Sequence, residues 1–106
     1  MPFYEISPQD VRARLEAGET LNLVDVRQPW EYARYHIPGA RLLPTDLFAA
    51  NHAALLNPGD EIICLCEHGV RSEAAARFLA SSGYTNAATM TGGMSVYDGP
   101  VEAETN

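Results

Sequence analysis

The sequence predicts an α/β protein with a mostly parallel sheet, and three observations support this class. Segments with the signals of strands alternate with segments with the signals of helices. Two of the strand candidates, residues 21–26 and 61–66, are apolar almost throughout, as is typical of strands buried on both faces of a parallel sheet. The length of 106 residues suits one domain, predicted to cover 1–106 with a core at about 4–98 and a polar C-terminal tail at 99–106.

The first half of the chain carries clear boundary signals. Residues 3–7 form a short strand candidate, and a helix follows, with Ser7 as its cap, Pro8 in its first turn and Gly18 at its end. After the strand at 21–26, residues 40–44 give a brief strand that Pro44 ends. A second helix is predicted over 45–56 with Thr45 as its cap.

The second half begins with the apolar strand at 61–66 and continues into the strongest helix signal. This helix is predicted to pack through Ala74, Phe78 and Leu79 and to stop at Gly83. A last strand at 86–90 and a turn with a short helical piece follow, and the polar tail is predicted to fray.

The charge of the chain limits its partners. The formal net charge is −7, and every one of the seven basic residues is arginine. Such a chain repels phosphate backbones, so we expect neither nucleic acid nor a membrane as a partner. Two cysteines do not make a disulfide framework, and the predicted location is the cytoplasm, with reduced thiols.

The two cysteines, Cys64 and Cys66, stand two apart in the stretch EIICLCEHGVRS. Cys64 lies inside the apolar run, and we interpret it as a small buried core residue. A zinc site is disfavoured, because Cys64, Cys66 and His68 are too few ligands at the wrong spacing. No metal is therefore expected.

Cys66 lies where the strand meets the following helix, on the side of the sheet where α/β proteins bind ligands. A loop curling there would direct its unpaired N–H groups at the sulfur, and such an anion nest stabilises a thiolate, the reactive form of cysteine. Gly69 would allow the tight curl, and Arg71 would add a positive charge. The candidate site consists of Cys66 as nucleophile and the loop Glu67, His68, Gly69, Val70, Arg71 and Ser72.

Three blocks of sequence together resemble a single-domain rhodanese, a sulfurtransferase: LVDVRQPWEYARYHIPGARLLP at 23–44, CEHGVRS at 66–72 and TGGM at 91–94. The resemblance implies a five-stranded sheet flanked by helices and a persulfide on Cys66, cradled by backbone N–H groups of the loop. It implies no metal or organic cofactor. Related phosphatases and arsenate reductases have C-x₅-R, whereas this chain has the shorter C-x₄-R, which favours sulfur transfer.

The predicted reaction moves a sulfane sulfur from thiosulfate or a persulfide donor, through Cys66, to cyanide, a small thiol or a protein thiol. The alternative is a persulfide carrier that serves a partner protein and turns over little thiosulfate with cyanide. An inactive interaction domain is disfavoured, because Cys66, Gly69 and Arg71 are all present.

Supporting roles are predicted around the loop. Asp25 is interpreted as an anchor for loop amides, and Arg27 as the partner of Glu31 four residues later, as well as a candidate substrate contact. His36 is interpreted as scaffold, His68 could donate to a bound anion, and His52 is given no role.

Three residues depart from the family pattern. Glu67 stands where thiosulfate-preferring members often have a basic residue, so the thiosulfate dianion is expected to bind weakly. Tyr35 replaces a common glycine and Tyr97 a common tryptophan, and both are interpreted as packing changes.

Overall fold

A computed structural model describes residues 2–104 and contains five strands, four α-helices and one 3₁₀ turn. The strands are β1 (Tyr4–Ile6), β2 (Leu23–Asp25), β3 (Arg41–Leu42), β4 (Ile62–Leu65) and β5 (Ala87–Met90). The helices are α1 (Pro8–Glu16), α2 (Pro29–Arg34), α3 (Thr45–Leu55) and α4 (Val70–Ser81), and the 3₁₀ turn spans Gly93–Val96. Within residues 2–104, no helix has both the length and the apolar character that crossing a bilayer requires.

The strands form one sheet in the order β1-β5-β4-β2-β3, and all four neighbouring pairs are parallel. Alternate residues of the central strand β4 enter two separate apolar clusters: Ile62 and Cys64 pack into one, Ile63 and Leu65 into the other. Because both faces of the strand are covered, its sequence is apolar without alternation. The predicted fold class is confirmed.

The predicted start and end of α1 are confirmed. The Ser7 Oγ accepts a hydrogen bond from the Asp10 N–H at 3.0 Å, Pro8 is the first helical residue, and Gly18 follows the helix with a φ of 91°. Thr45, in contrast, is the first residue of α3 rather than its cap. Its hydroxyl donates to the Val26 carbonyl oxygen at 3.0 Å and so ties α3 to the end of β2.

Three expectations about elements were wrong or incomplete. The short helix α2 was not predicted. On α4, Ala74 was predicted to pack against the core but is exposed. The buried residues of α4 are Ser72, Ala75, Ala76, Leu79 and Ala80. The tail does not fray as far as residue 104, because His36 and Glu102 exchange backbone hydrogen bonds of 2.8 and 2.9 Å. Residues 105 and 106 lie outside the described part.

Candidate functional site

Cys66 directly follows β4, the central strand of the sheet, and the seven residues 66–72 curl from there into α4. The side chain of Cys66 is almost closed off from solvent, with 1% of the residue exposed. Gly69 has a φ of 96°, a backbone conformation that favours glycine, and it allows the tight curl that the sequence predicted.

The Cys66 sulfur accepts hydrogen bonds from two backbone amides of this loop. The Gly69 N–H lies 3.1 Å from Sγ and the Ser72 N–H 3.3 Å from it. The thiol in turn donates to the Ser72 Oγ at 3.5 Å. Two of the six loop residues therefore direct their backbone N–H groups at the sulfur, as the sequence predicted.

Ser72 and Thr89 form a polar contact beneath the loop that sequence analysis did not find. Both side chains are buried, and their hydroxyl oxygens lie 2.7 Å apart. The Ser72 hydroxyl also donates to the Gly69 carbonyl oxygen at 3.2 Å, which fixes the loop against itself. The only signal for Thr89 was a hydroxyl in the otherwise apolar strand β5.

The 3₁₀ turn supports the loop through two backbone hydrogen bonds. The Met94 N–H donates to the Cys66 carbonyl oxygen at 2.8 Å, and the Ser95 N–H donates to the Glu67 carbonyl oxygen at 2.9 Å. Gly93, with a φ of 68°, lies so close to these two carbonyl groups that a Cβ would overlap them. The TGGM block is thus the support of the loop.

Arg71 does not act as a free cation at the sulfur. Its guanidinium forms two hydrogen bonds with the Glu31 carboxylate, at 2.8 and 3.0 Å. These hydrogen bonds lower the pKa of Glu31 to about 2, so the carboxylate is charged at neutral pH and balances Arg71.

The predicted Arg27–Glu31 pair is wrong, and so is the predicted role of Asp25 as an anchor for loop amides. Arg27 is fully buried and binds Asp25, with Nη2 2.8 Å from Oδ2. Asp25 also accepts from the Arg27 backbone N–H at 3.1 Å. Burial alone would lower the pKa of Arg27, but the hydrogen bonds and charges of Asp25 and Glu67 outweigh it and raise the pKa.

Glu67 links Arg27 to the loop. One carboxylate oxygen lies 3.1 Å from Arg27 Nη1, and the other accepts from the Tyr35 hydroxyl at 2.9 Å. Burial, together with the hydrogen bond to Glu67, raises the pKa of Tyr35. Tyr35 is therefore more than the predicted packing change, because it contacts the loop, whereas Tyr97 does pack against the core.

The other residues singled out in the sequence divide between surface and scaffold. His68 and Val70 are exposed on the loop. His36 is buried, stacks on Tyr32 and holds Nδ1 2.8 Å from the Tyr32 carbonyl oxygen, in agreement with the scaffold interpretation. Cys64 is fully buried as predicted, and burial raises its pKa to about 12.

Two clefts of about 240 Å³ each lie beside the loop. One, here called the α2 cleft, is lined by Arg27, Trp30, Glu31, Arg34, Tyr35 and Glu67. The other is lined by Glu5, His68, Gly69, Val70, Glu73, Thr89, Thr91 and Gly92. Among residues 2–104, no three histidine, cysteine or acidic side chains come together as a metal site would require.

Comparison with known proteins assigns the family. Residues 7–99 match the model of the rhodanese-like domain, so this chain belongs to the rhodanese-like family. A rhodanese-like domain protein from Staphylococcus aureus superposes with a TM-score of 0.87 at 26% identity, covering 96% of this chain and 99% of that one.

Two curated relatives carry different names. The chain is 38% identical to the thiosulfate sulfurtransferase GlpE of Haemophilus influenzae, over 98% of this chain and 93% of the relative. It is 36% identical to the putative sulfur carrier protein YrkF of Bacillus subtilis, over 92% of this chain. The chain spans about half the length of that carrier, namely 52%.

Proposed function

We propose that this chain is a sulfurtransferase that holds a sulfane sulfur as a persulfide on Cys66. The observation that carries the proposal is the pair of backbone N–H groups, from Gly69 and Ser72, directed at the Cys66 sulfur. Fixed amide dipoles in a site closed to water stabilise an anionic sulfur without having to reorganise. The persulfide-binding loop is the set Glu67, His68, Gly69, Val70, Arg71 and Ser72.

In the loading step, the Cys66 thiolate attacks the outer sulfur of the donor. With thiosulfate, the bond between the two donor sulfurs breaks, its electron pair leaves with sulfite, and a persulfide anion forms on Cys66. With an alkyl persulfide, the leaving group is the alkyl thiolate, which then takes a proton.

In the second step, an acceptor with a soft nucleophile attacks the outer sulfur of the persulfide. Cyanide, a small thiol or a protein thiol takes this sulfur, and the electron pair of the broken S–S bond returns to Cys66 as a thiolate. The loop amides stabilise the anionic sulfur both before and after transfer, so neither step requires a metal or an organic cofactor.

A second candidate function is a persulfide carrier that accepts sulfur from one protein and delivers it to another. The name of the Bacillus subtilis relative, a putative sulfur carrier, favours it. Pairing of Arg27 and Arg71 with carboxylates also favours it, because neither cation is left free to bind a small anionic donor. Both candidate functions require the Cys66 persulfide. They differ in how fast the protein alone transfers sulfur from thiosulfate to cyanide.

The reducing environment in which such thiols persist is the cytoplasm, and we propose this location for the chain. Cys66 is a free thiol, as this chemistry needs. The proposed partners are a small sulfur donor and a thiophilic acceptor, or a protein persulfide and a protein thiol, with no nucleic acid and no membrane.

The test combines two measurements on the wild type and on Cys66→Ser. Mass spectrometry after exposure to a persulfide donor should show a gain of one sulfur atom on Cys66, reversed by a reducing agent and absent from the variant. Steady-state transfer from thiosulfate to cyanide should fall to background in the variant, because the nucleophile is gone.

The same data separate the two candidate functions. Turnover of thiosulfate with cyanide favours the sulfurtransferase, and loading without turnover favours the carrier. A Cys66→Ser variant that still transfers sulfur at the wild-type rate would contradict both, since both depend on the Cys66 persulfide.

A further inference from the structure

We propose that residues 101–104, here called the clasp, hold α2 against the loop and so limit the size of the acceptor that reaches the persulfide on Cys66. In this role Glu102 and Glu104 contact neither the sulfur nor the acceptor. They are positioning residues that act through His36 and α2. This inference rests on the proposed persulfide chemistry of Cys66 and adds which acceptors can take the sulfur.

Helix α2 has no apolar anchor in the core. None of its six residues, Pro29–Arg34, is buried. Burial of an apolar face is what usually fixes a helix to a domain, so the position of α2 depends on polar contacts instead. The Tyr32 hydroxyl donates to the Ala40 carbonyl oxygen at 2.7 Å. Before the helix, Gln28 Nε2 donates to Asp46 Oδ1 at 3.2 Å, in an exposed contact for which water competes.

The clasp contacts the C-terminal end of α2 through backbone hydrogen bonds. His36 and Glu102 exchange two of them, at 2.8 and 2.9 Å, and the Glu104 N–H donates to the Ala33 carbonyl oxygen at 3.0 Å. Ala33 lies in the last turn of α2, where carbonyl groups lack partners within the helix. The clasp therefore supplies a partner that α2 itself does not contain.

His36 connects the clasp to the side chains of α2. It is buried, and its ring stacks on the Tyr32 ring with the centroids 3.7 Å apart. Its Nδ1 lies 2.8 Å from the Tyr32 carbonyl oxygen, and its Nε2 lies 3.4 Å from Glu102 Oε1. The clasp thus contacts both the backbone and the ring of His36, and His36 in turn packs against α2.

Two side chains of the α2 region contact the loop that holds the sulfur. Glu31 binds Arg71 at 2.8 and 3.0 Å, and the Tyr35 hydroxyl donates to Glu67 at 2.9 Å. Cys66 is 1% exposed, and the α2 cleft beside the loop encloses about 240 Å³. Pockets that enclose drug-sized ligands measure roughly 300–1,000 Å³, so only a small acceptor has room while α2 is in place.

The size of the acceptor therefore decides whether α2 has to move. In the transfer step, the acceptor attacks the outer sulfur, and the electron pair of the broken S–S bond returns to Cys66. Cyanide is small enough to react with α2 in place. Glutathione, a tripeptide thiol, needs α2 to move aside, so its rate depends on how often the clasp releases the helix.

The experiment compares two double variants of the full chain that carry the same charge. Glu102→Pro with Glu104→Pro removes two N–H donors of the clasp, because proline has none. Glu102→Ala with Glu104→Ala is the matched control, since it removes the same two carboxylates and keeps both N–H groups. Cys66 is loaded from cysteamine persulfide, and intact mass follows the loss of the added sulfur to cyanide and to glutathione.

We expect the proline variant to deliver sulfur to glutathione about tenfold faster than the alanine variant, and to cyanide within about twofold. Loss of two ordinary hydrogen bonds raises the population of displaced α2 by about that factor. Hydrogen exchange should be faster at the Tyr32 and Tyr35 amides of the proline variant and unchanged in β4. Glu104→Pro alone should shift both measurements in the same direction by a smaller factor.

Two results would overturn the role of the clasp. Unchanged exchange in α2 of the proline variants would show that the clasp does not hold the helix. Faster exchange in α2 with an unchanged ratio of the glutathione and cyanide rates would show that the helix does not limit the acceptor. Both results leave the persulfide intact, whereas a wild type that fails to load Cys66 contradicts the proposed function itself.

Discussion

Two cysteines separated by one residue lie in opposite chemical surroundings. Cys64 is inside β4, where burial raises its pKa to about 12 and keeps it a neutral thiol. Cys66 is one residue beyond the strand, where the Gly69 and Ser72 amides contact its sulfur. The difference arises because the strand ends between them and the loop amides become available.

Replacing Cys64 should therefore affect stability and leave the chemistry unchanged. Cys64→Ala removes a buried sulfur from the core, and we expect it to lower the free energy of unfolding by about 1 kcal/mol. Loading of one sulfur atom from a persulfide donor should continue at the wild-type rate, as measured by intact mass. A folded Cys64→Ala protein that no longer loads would show that Cys64 takes part.

The sequence predicted the sulfur and its cradle but not the ion pairs around them. The Arg27–Glu31 prediction assumed helical spacing, yet Arg27 lies in a bend after β2, and α2 begins only at Pro29. The true partners of Arg27 include Glu67, which is 40 residues away in sequence. Contacts of this kind depend on the order of strands in the sheet, and local spacing does not reveal them.

At the scale of elements, the loop depends on the 3₁₀ turn that follows β5. The turn donates two backbone hydrogen bonds to the carbonyl groups of Cys66 and Glu67. This contact requires Gly93 for two separate reasons, its φ of 68° and the absence of a side chain facing the loop.

Gly93→Ala should impair sulfur loading, and Gly83→Ala is its matched control. Both glycines have positive φ, so each substitution should cost about 1–2 kcal/mol of stability from the backbone alone. Only at Gly93 would the new Cβ meet the loop, 2.5 Å from the Glu67 carbonyl oxygen, while Gly83 has nothing within 4 Å. We expect slower loading of sulfur on Cys66 for Gly93→Ala but not for Gly83→Ala. Intact mass measures this at a temperature where both variants are folded. Equal loading rates for the two variants would contradict the support of the loop by the 3₁₀ turn.

The elements that sequence analysis predicted correctly are those with strong local signals. The capped helix α1 and the apolar strand β4 are examples. Helix α2 was missed because it has six residues and none of them is buried, so it shows no apolar stripe. On α4, the predicted contacts of Leu79 and Phe78 with the core are confirmed, and only Ala74 was wrong. The rest of the buried face is alanine and serine, and nothing in the sequence distinguishes Ala74 from Ala75 and Ala76.

At the scale of the whole molecule, partly buried ion pairs lie at both ends of the sheet. Arg71 binds Glu31 beyond the carboxyl end of β4, and Arg14 binds Glu61 just before its amino end, at 2.7 Å. Glu61 also accepts a hydrogen bond from the Tyr4 hydroxyl. The chain has a net charge of −7, and in each of these pairs an arginine neutralises a carboxylate where the sheet meets its loops.

These pairs should make the protein sensitive to acid. The hydrogen bonds of Arg71 lower the pKa of Glu31 from an ordinary 4.5 to about 2, and Arg14 lowers that of Glu61. Because the unfolded chain binds these protons first, the free energy of unfolding is highest above pH 4.5 and falls as the pH drops toward 2.

Glu31→Gln and Glu61→Gln should each be less stable at neutral pH than the wild type and lose less stability on acidification, since the proton uptake at that position is gone. Melting temperatures followed from neutral pH to about pH 2 would show this as a flatter profile for both variants. Glu16→Gln carries the same change of net charge at an exposed pair, and its profile should run parallel to that of the wild type. If Glu31→Gln also ran parallel to the wild type, the Arg71–Glu31 pair would not contribute to folding, and Arg71 would be free to turn toward the sulfur.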